Sequence, residues 1–125
     1  MPDNIKYADK IPFAFILDHI LSDDLVIKPM FGCYAVYVRQ RLCLFLLDRN
    51  KPIGRSDGDP MQNGVYIATS QAHVTDLRSI FADVNFQGLK GDKVWIFVPV
   101  DHTQFEQHVI RACEMITAND SRIGR

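Results

Sequence analysis

The chain has 125 residues, of which 47% are hydrophobic and 23% are charged. This is the composition of an ordinary soluble globular protein, and the length predicts a single domain over residues 1–125. The formal net charge is −1, from 14 Lys and Arg against 15 Asp and Glu. The chain therefore lacks the strongly basic field that gives general affinity for nucleic acids. A protein or small-molecule partner is favoured over nucleic acid.

Targeting signals and cysteine usage indicate the compartment. The first residues show no charged-then-apolar signal pattern, and no apolar run approaches the roughly 20 residues that span a bilayer. The three cysteines, Cys33, Cys43 and Cys113, are an odd number, and each lies within an apolar segment. Buried thiols in a reducing compartment account for this pattern. We expect a cytoplasmic protein with no membrane contact.

The first predicted element is a helix over residues 13–21. Pro12 precedes it, and proline suits the first turn of a helix. The apolar residues recur at helical spacing, which gives the helix one face to bury. These residues are Phe13, Ile16, Leu17, Ile20 and Leu21.

A β-hairpin follows, with predicted strands at 33–38 and 42–47. Both runs are apolar, and the polar turn Arg39-Gln40-Arg41 joins them. Two short apolar runs joined in this way are typical of a hairpin. Gly32 precedes the first strand, where we expect a positive φ that residues with a Cβ avoid.

The second half of the chain predicts two further strands, two helices and a long loop. Residues 48–63 are polar and rich in Pro and Gly, which indicates a surface loop. A strand is predicted at 64–69, a helix at 70–81 with Ser70 as N-cap, and a hairpin from 84–87 and 94–98. Thr103 and Glu106 fit a capping box at the start of a last helix. The order is α-β(3)-α-β(2)-α, an α+β fold with two layers and an antiparallel sheet.

Two of the predicted strands are apolar at every position, at 42–47 and at 94–98. A sheet with one face in water alternates apolar and polar residues, so both faces of these strands are expected to be dry. Three helices can cover part of the second face. A second subunit is at least as economical a cover, so we predict a homodimer.

The hairpin residues also carry a resemblance. The run Lys28-Pro29-Met30-Phe31-Gly32-Cys33-Tyr34 resembles the "MFGGY" strand that opens the N-terminal domain of TfoX/Sxy-type competence regulators, and residues 63–67 and 95–99 are similar to later strands of that family. The similarity in element order covers about residues 12–116. Cys33 stands where the family usually has a second glycine, and the loop at 48–63 is longer than usual. The resemblance implies a fold like that of secretion chaperones, and it supplies no catalytic residues. Its motif residues here are Lys28, Met30, Phe31, Gly32 and Tyr34.

Enzymatic and metal sites are weakly indicated. The spacing of His, Cys and acidic residues matches no common metal-binding motif, so we expect no metal and no cofactor. Cys33 is the best placed nucleophile, with His19 or His73 as a conceivable base. Its apolar neighbours favour an inert core thiol, because burial raises a thiol's pKa. The residues thus favour a non-enzymatic protein.

Basic side chains concentrate in the first hairpin and the loop after it. We predict that these residues contact a partner, because mobile loops beside a rigid hairpin commonly carry recognition. The leading hypothesis is a regulatory or adaptor module that binds a protein. The alternative is a domain that binds a small molecule or anion with the first hairpin and the 48–63 loop. The residues concerned are Arg39, Arg41, Arg49, Lys51 and Arg55.

Overall fold

A computed structural model describes residues 10–30, 32–48 and 63–125. Six strands, two α-helices and two short 3-10 helices form within these ranges. The 3-10 helices are Ala14–Asp18 and Gln71–His73. The other elements are β1 (Leu25–Met30), β2 (Cys33–Val38), β3 (Arg41–Leu47), β4 (Gly64–Ser70), α1 (Val74–Ile80), β5 (Asn85–Gly88), β6 (Lys93–Pro99) and α2 (Phe105–Thr117). Among the described helices, none is long and apolar enough to cross a bilayer.

The strands form one antiparallel sheet in the order β1-β2-β3-β4-β6-β5. The predicted α+β class and antiparallel sheet are confirmed. The finer order α-β(3)-α-β(2)-α differs from the structure in two ways. Four strands, rather than three, precede α1, and the first helical element is a 3-10 helix.

The additional strand is β1, a stretch for which the sequence predicted no element. Its burial alternates, because Leu25 and Ile27 are buried while Val26 is half-buried and Lys28 is exposed. Alternation of this kind belongs to a strand with one face on the core. Gly32 then reverses the chain with φ 81°, so the predicted positive φ is confirmed. The glycine lies inside a hairpin turn, between two paired strands.

The first helix is shorter than predicted. Only Ala14–Asp18 is helical, and it is closed by bonds of the 3-10 type, such as the Ile16 N–H donating to the Phe13 carbonyl at 3.1 Å. Ile16 and Ile20 are buried, while Leu21, predicted to face the core, is 71% exposed. Ile16 and Ile20 are four residues apart, so a short helical turn is enough to bury both, and a full α-helix is not needed.

The main core lies between the sheet and the helices. Buried residues of both α-helices and of the first 3-10 helix join one cluster with side chains from β1, β2, β3, β4 and β6. Leu77 of α1 and Ile16 are fully buried there, and α2 contributes its whole apolar face. All the described helices that bury residues therefore pack on a single face of the sheet.

The opposite face carries a separate aromatic cluster. The Tyr66 and Phe97 rings stack with centroids 4.5 Å apart, and the Phe45 and Trp95 rings stack at 4.8 Å. Tyr66, Trp95 and Phe97 are only 6%, 9% and 5% exposed in the single chain. The predicted dryness of both faces is confirmed. Since these rings are already shielded, this face does not require a second subunit to exclude water.

The C-terminal tail passes through a gap in the sheet. Pairing of β3 with β4 stops at Leu44 and Ile67. Beyond that point the Gly124 N–H donates to the Ala68 carbonyl at 2.8 Å, and the Arg125 N–H donates to the Leu42 carbonyl at 3.1 Å. The tail thus supplies hydrogen bonds that the two strands do not give each other.

The two ends of this tail lie on different faces of the sheet. Ile123 is buried in the helix-side core, whereas the Arg125 guanidinium lies 4.4 Å from the centroid of the Trp95 ring in the aromatic cluster. The Thr69 hydroxyl, which is fully buried, donates to the Arg122 carbonyl at 2.7 Å. The tail therefore joins the two cores.

Two predicted helix caps are wrong. The N-cap of α2 is Gln104, and its N–H donates to Nδ1 of His102 at 2.9 Å, so a histidine takes the place of the capping box expected from Thr103 and Glu106. Ser70 precedes the 3-10 turn before α1 and makes no side-chain cap. The positions at which both helices begin depend on contacts that local sequence propensity did not reveal.

Candidate binding site on the first hairpin

A cleft opens on the aromatic side of the sheet, over the edge formed by β1 and β2. Its volume is about 510 Å³. Its lining residues come from β1, β2 and the turn that follows β2. They are Asp24, Val26, Lys28, Tyr37, Arg39 and Gln40.

The alternation of β1 builds one wall of this cleft. Leu25 and Ile27 point into the helix-side core, so Val26 and Lys28 lie on the other face. Asp24 precedes Val26 by two residues and shares that face. In extended chain, Asp24 and Lys28 are about 13 Å apart, since each residue advances about 3.3 Å. The wall therefore has an acid at one end, an apolar centre and a base at the other end.

Tyr37 forms the facing wall. It pairs with Val26 across the β1–β2 ladder and is half-buried. The Lys28 ammonium nitrogen lies 5.3 Å from the centroid of the Tyr37 ring. A cation over a tyrosine face is an attractive contact that leaves the ammonium accessible on its outer side. The cleft thus presents an aromatic surface beside an exposed positive charge.

The turn after β2 closes the cleft and is conformationally unusual. Arg39 and Gln40 have φ values of 52° and 65°, so both central residues of this two-residue turn are left-handed. Such turns match the twist of paired strands and usually carry Asn or Gly. The Arg39 N–H donates to the Asp24 carbonyl at 3.3 Å, which ties the turn to the start of β1.

Arg39, predicted as a binding residue, contacts helix α2. Its guanidinium donates to the carbonyls of Ile116 at 2.9 Å and Thr117 at 3.2 Å. These are carbonyls of the last helical turn, which carry the negative end of the helix dipole, and the Ile116 carbonyl also accepts from the Asn119 N–H at 3.0 Å. The contact gives Arg39 a structural role, and its part in partner binding stays a prediction.

Arg41, the other described residue of the predicted basic set, does not line the cleft. Arg41 is half-buried beside the tail, where a Cβ built on Gly124 would lie 3.4 Å from its Cζ and Nε atoms. Arg49, Lys51 and Arg55 fall outside the described residues. Of the two basic residues of this set that the structure describes, Arg39 borders the cleft and Arg41 does not, whereas Asp24, Val26, Tyr37 and Gln40 were missed.

The predicted motif residues meet at the β1–β2 turn. Met30 pairs with Cys33, Pro29 pairs with Tyr34, and Phe31 lies outside the described residues. A smaller cavity of about 400 Å³ opens beside this turn. Lys28, the first residue of the motif, contributes to the larger cleft instead.

Cys33 does not come together with the histidines suggested as its base. Its Sγ donates to the Met30 carbonyl at 2.8 Å, at the turn end of β2. The His19 carbonyl accepts from the Thr117 hydroxyl, near the opposite end of β2, where Arg39 contacts α2. His73 follows the end of β4 that lies away from Cys33. The geometry gives Cys33 neither proposed base.

The other two thiols are inert by environment. Burial raises the pKa of Cys43, and burial together with Glu114 raises the pKa of Cys113 to about 12. Thiols held neutral in this way are poor nucleophiles and poor metal ligands. Among the described residues, no group of three or more His, Cys, Asp or Glu side chains could hold a metal ion.

Two histidines near the start of α2 lie together. The His102 and His108 ring centroids are 5.3 Å apart. Since Nδ1 of His102 accepts from Gln104, its Nε2 donates to the Asp83 carbonyl at 3.0 Å. The Nε2 of His108 lies 3.0 Å from the Ala82 carbonyl, and burial lowers the pKa of His108. The pair anchors the turn after α1 and does not border the cleft.

Comparisons with protein-family models, curated proteins and solved structures find no match for this chain, so the resemblance to TfoX/Sxy-type regulators stays a prediction.

Proposed function

We propose that this chain is a non-enzymatic regulatory or adaptor module that binds an extended segment of a partner protein in the cleft on the first hairpin. The observation that carries the proposal is the order of groups along the cleft. Asp24 lies at one end beside Arg39, whose guanidinium is bonded to carbonyls of α2. Val26 and Tyr37 form the centre, and Lys28 lies at the other end. This order suits a ligand with a basic, an apolar and an acidic group in sequence.

An extended peptide has the matching spacing. Every second side chain of a β-strand points the same way, so residues i, i+2 and i+4 span about 13 Å. This is close to the extended-chain separation of about 13 Å between Asp24, directly before β1, and Lys28 in β1. A peptide with a basic residue, an apolar residue and an acidic residue at these positions places each side chain beside its complement. Charges at the rim chiefly set orientation and choice of partner, while the apolar centre excludes water.

The lining residues also favour binding over catalysis. Among the described residues that line the cleft there is no cysteine, serine or histidine, the side chains that often act as nucleophile or general base. Lys28 and Tyr37 contact each other through a cation–π interaction, which suits recognition. The three cysteines are thiols, which supports the cytoplasmic setting proposed for this module.

A small anionic molecule is the second candidate. The cleft volume of about 510 Å³ is within the range of small-molecule sites, about 300–1,000 Å³. The Lys28 ammonium and the Tyr37 ring form a local site for an aromatic anion. Asp24 opposes an anion that fills the whole cleft, which is why an extended peptide with both charges is favoured.

Selection from a random displayed-peptide library tests the proposal. Wild type should enrich peptides with a basic, an apolar and an acidic residue at alternate positions. The charge-swapped variant Asp24→Lys/Lys28→Asp should enrich the same pattern read in the opposite direction. A matched swap of two exposed residues outside the cleft, Lys93→Asp/Asp101→Lys, should select the wild-type pattern.

The outcomes separate the candidates. Enrichment that is identical in wild type and in the Asp24→Lys/Lys28→Asp variant would contradict the proposal. Loss of peptide binding in the presence of a small aromatic carboxylate, combined with saturable binding of that carboxylate alone, would support the second candidate. The charges swapped here are exposed in the free chain, so both variants should keep the stability of wild type within about 0.5 kcal/mol.

A further inference from the structure

The two edges of the sheet differ in their protection. Edge strand β1 carries the exposed Lys28 and Pro29, and charge and proline are the usual features that stop an edge from pairing with another chain. Edge strand β5 has neither. Its sequence is Asn85-Phe86-Gln87-Gly88, with no charge, no proline and three of four residues exposed.

The backbone of β5 is oriented for further pairing. The Leu89 N–H donates to the Lys93 carbonyl at 2.8 Å at the hairpin end. Hydrogen-bonded pairs alternate along an antiparallel ladder, so Gln87 and Asn85 bond to their partners in β6. Phe86 and Gly88 therefore direct their N–H and C=O groups away from β6, toward the open edge.

We propose that β5 pairs antiparallel with β5 of a second copy of this chain, about a two-fold axis at Phe86. In this register Phe86 exchanges two backbone hydrogen bonds with the partner's Phe86. The two six-stranded sheets then form one continuous sheet. This proposal places the expected homodimer at the sheet edge, and it does not depend on the cleft, which lies at the opposite edge.

The side chains of β5 complement themselves in this register. Asn85 lies opposite the partner's Gln87, and the two-fold axis repeats that pair. Each side-chain amide carries a donor and an acceptor, so each Asn–Gln pair can form a hydrogen bond between neutral groups. On the helix side the two Phe86 rings become a cross-strand aromatic pair, a favourable arrangement in sheets. Each ring already has its own Arg78 guanidinium 4.6 Å from its centroid.

The charges that flank β5 favour an antiparallel second copy. Asp83 precedes the strand and Lys90 follows it, and both are exposed. Antiparallel pairing about Phe86 brings Asp83 toward the end of the strand that carries the partner's Lys90. Parallel pairing would instead bring like charges together. The flanking charges thus favour antiparallel over parallel pairing of β5 with a second copy of the chain.

Sedimentation velocity over a range of protein concentrations, with the full chain, tests the proposal. Wild type should move from the 14.3 kDa monomer to a species of twice that mass. Asn85→Lys/Gln87→Lys places like charges opposite each other twice and should raise the dimer dissociation constant about tenfold. Asn85→Lys/Gln87→Glu pairs opposite charges and should restore or strengthen the dimer. Leu21→Lys/Ala118→Lys adds two charges near the C-terminal end of α2 and should dimerise like wild type.

Amide hydrogen exchange locates the interface independently. Exchange at Phe86 and Gly88 should slow as protein concentration rises. A wild type that stays monomeric at all concentrations, or a dimer that the like-charge variant leaves unchanged, would overturn the proposal. Pairing of β5 only with a different protein would also overturn it. Because these substitutions leave the first hairpin intact, a failure here leaves the peptide-selection result unaffected.

Discussion

Substitution of Gly64 by alanine should be among the most damaging single changes in the sheet. Gly64 has φ 155° and lies in β4 between Leu47 and Pro99 of the neighbouring strands. A Cβ at this position would overlap the Val98 carbonyl oxygen and lie 2.8 Å from Cε1 of Phe97. The unfavourable φ costs about 1–3 kcal/mol and overpacking costs about 1–3 kcal/mol more. We expect Gly64→Ala to lower the free energy of unfolding by about 3–5 kcal/mol.

Gly91→Ala is the matched control for this change. Gly91 also has a positive φ, of 75°, but a Cβ there would meet no atom within 4 Å. Both substitutions restrict the unfolded chain equally, so the difference between them reports the close approach of the strands together with the greater backbone strain at φ 155°. Urea denaturation of the three proteins, compared at constant m-value, gives that difference. If Gly64→Ala cost no more than Gly91→Ala, the close packing of β4 against β6 would be refuted.

Three further predictions concern side chains with defined partners. Arg39→Ala should lower the free energy of unfolding by about 1–2 kcal/mol in denaturant melts, because two charge-assisted hydrogen bonds to the last turn of α2 are lost; an unchanged midpoint would contradict that role. Stability should fall as pH drops below about 6.5, because the buried His108 resists the proton that the unfolded chain accepts, and pH-dependent melts of His108→Gln should show a smaller fall. Cys43 and Cys113 should react with a polar thiol reagent only as the protein unfolds, and rapid reaction of the native protein would refute their burial.

The sequence predicted the strands whose apolar runs end at clear turns. The predictions at 42–47 and 94–98 fall within β3 (Arg41–Leu47) and β6 (Lys93–Pro99). Strand β1 was missed because Lys28 and Pro29 interrupt its apolar character, and because the turn at Gly32 looked like the start of a strand. The signal that identifies it is the short apolar run Leu25-Val26-Ile27, and the alternating burial of this strand defines one wall of the cleft.

Contacts between distant parts of the chain account for the other errors. Arg39 was predicted to bind a partner because it lies in an exposed-looking turn, yet its guanidinium reaches α2, 77 residues later in the chain. A capping box was predicted at Thr103 and Glu106 because no sequence motif reveals the bond from the Gln104 N–H to His102. In the structure His102 precedes the helix and folds back to cap it. No local sequence pattern predicts the contact of Arg39 with α2 or that of His102 with Gln104.

Nuclear magnetic resonance of the labelled chain, titrated with a peptide from the library selection, tests the central claim most directly. If the cleft is the binding site, the amide signals of Val26, Lys28, Tyr37 and Gln40 should shift together and saturate. The Asp24→Lys/Lys28→Asp variant should show no such shifts with the same peptide. Shifts confined to β5 or to the tail, with the first hairpin unchanged, would contradict the account.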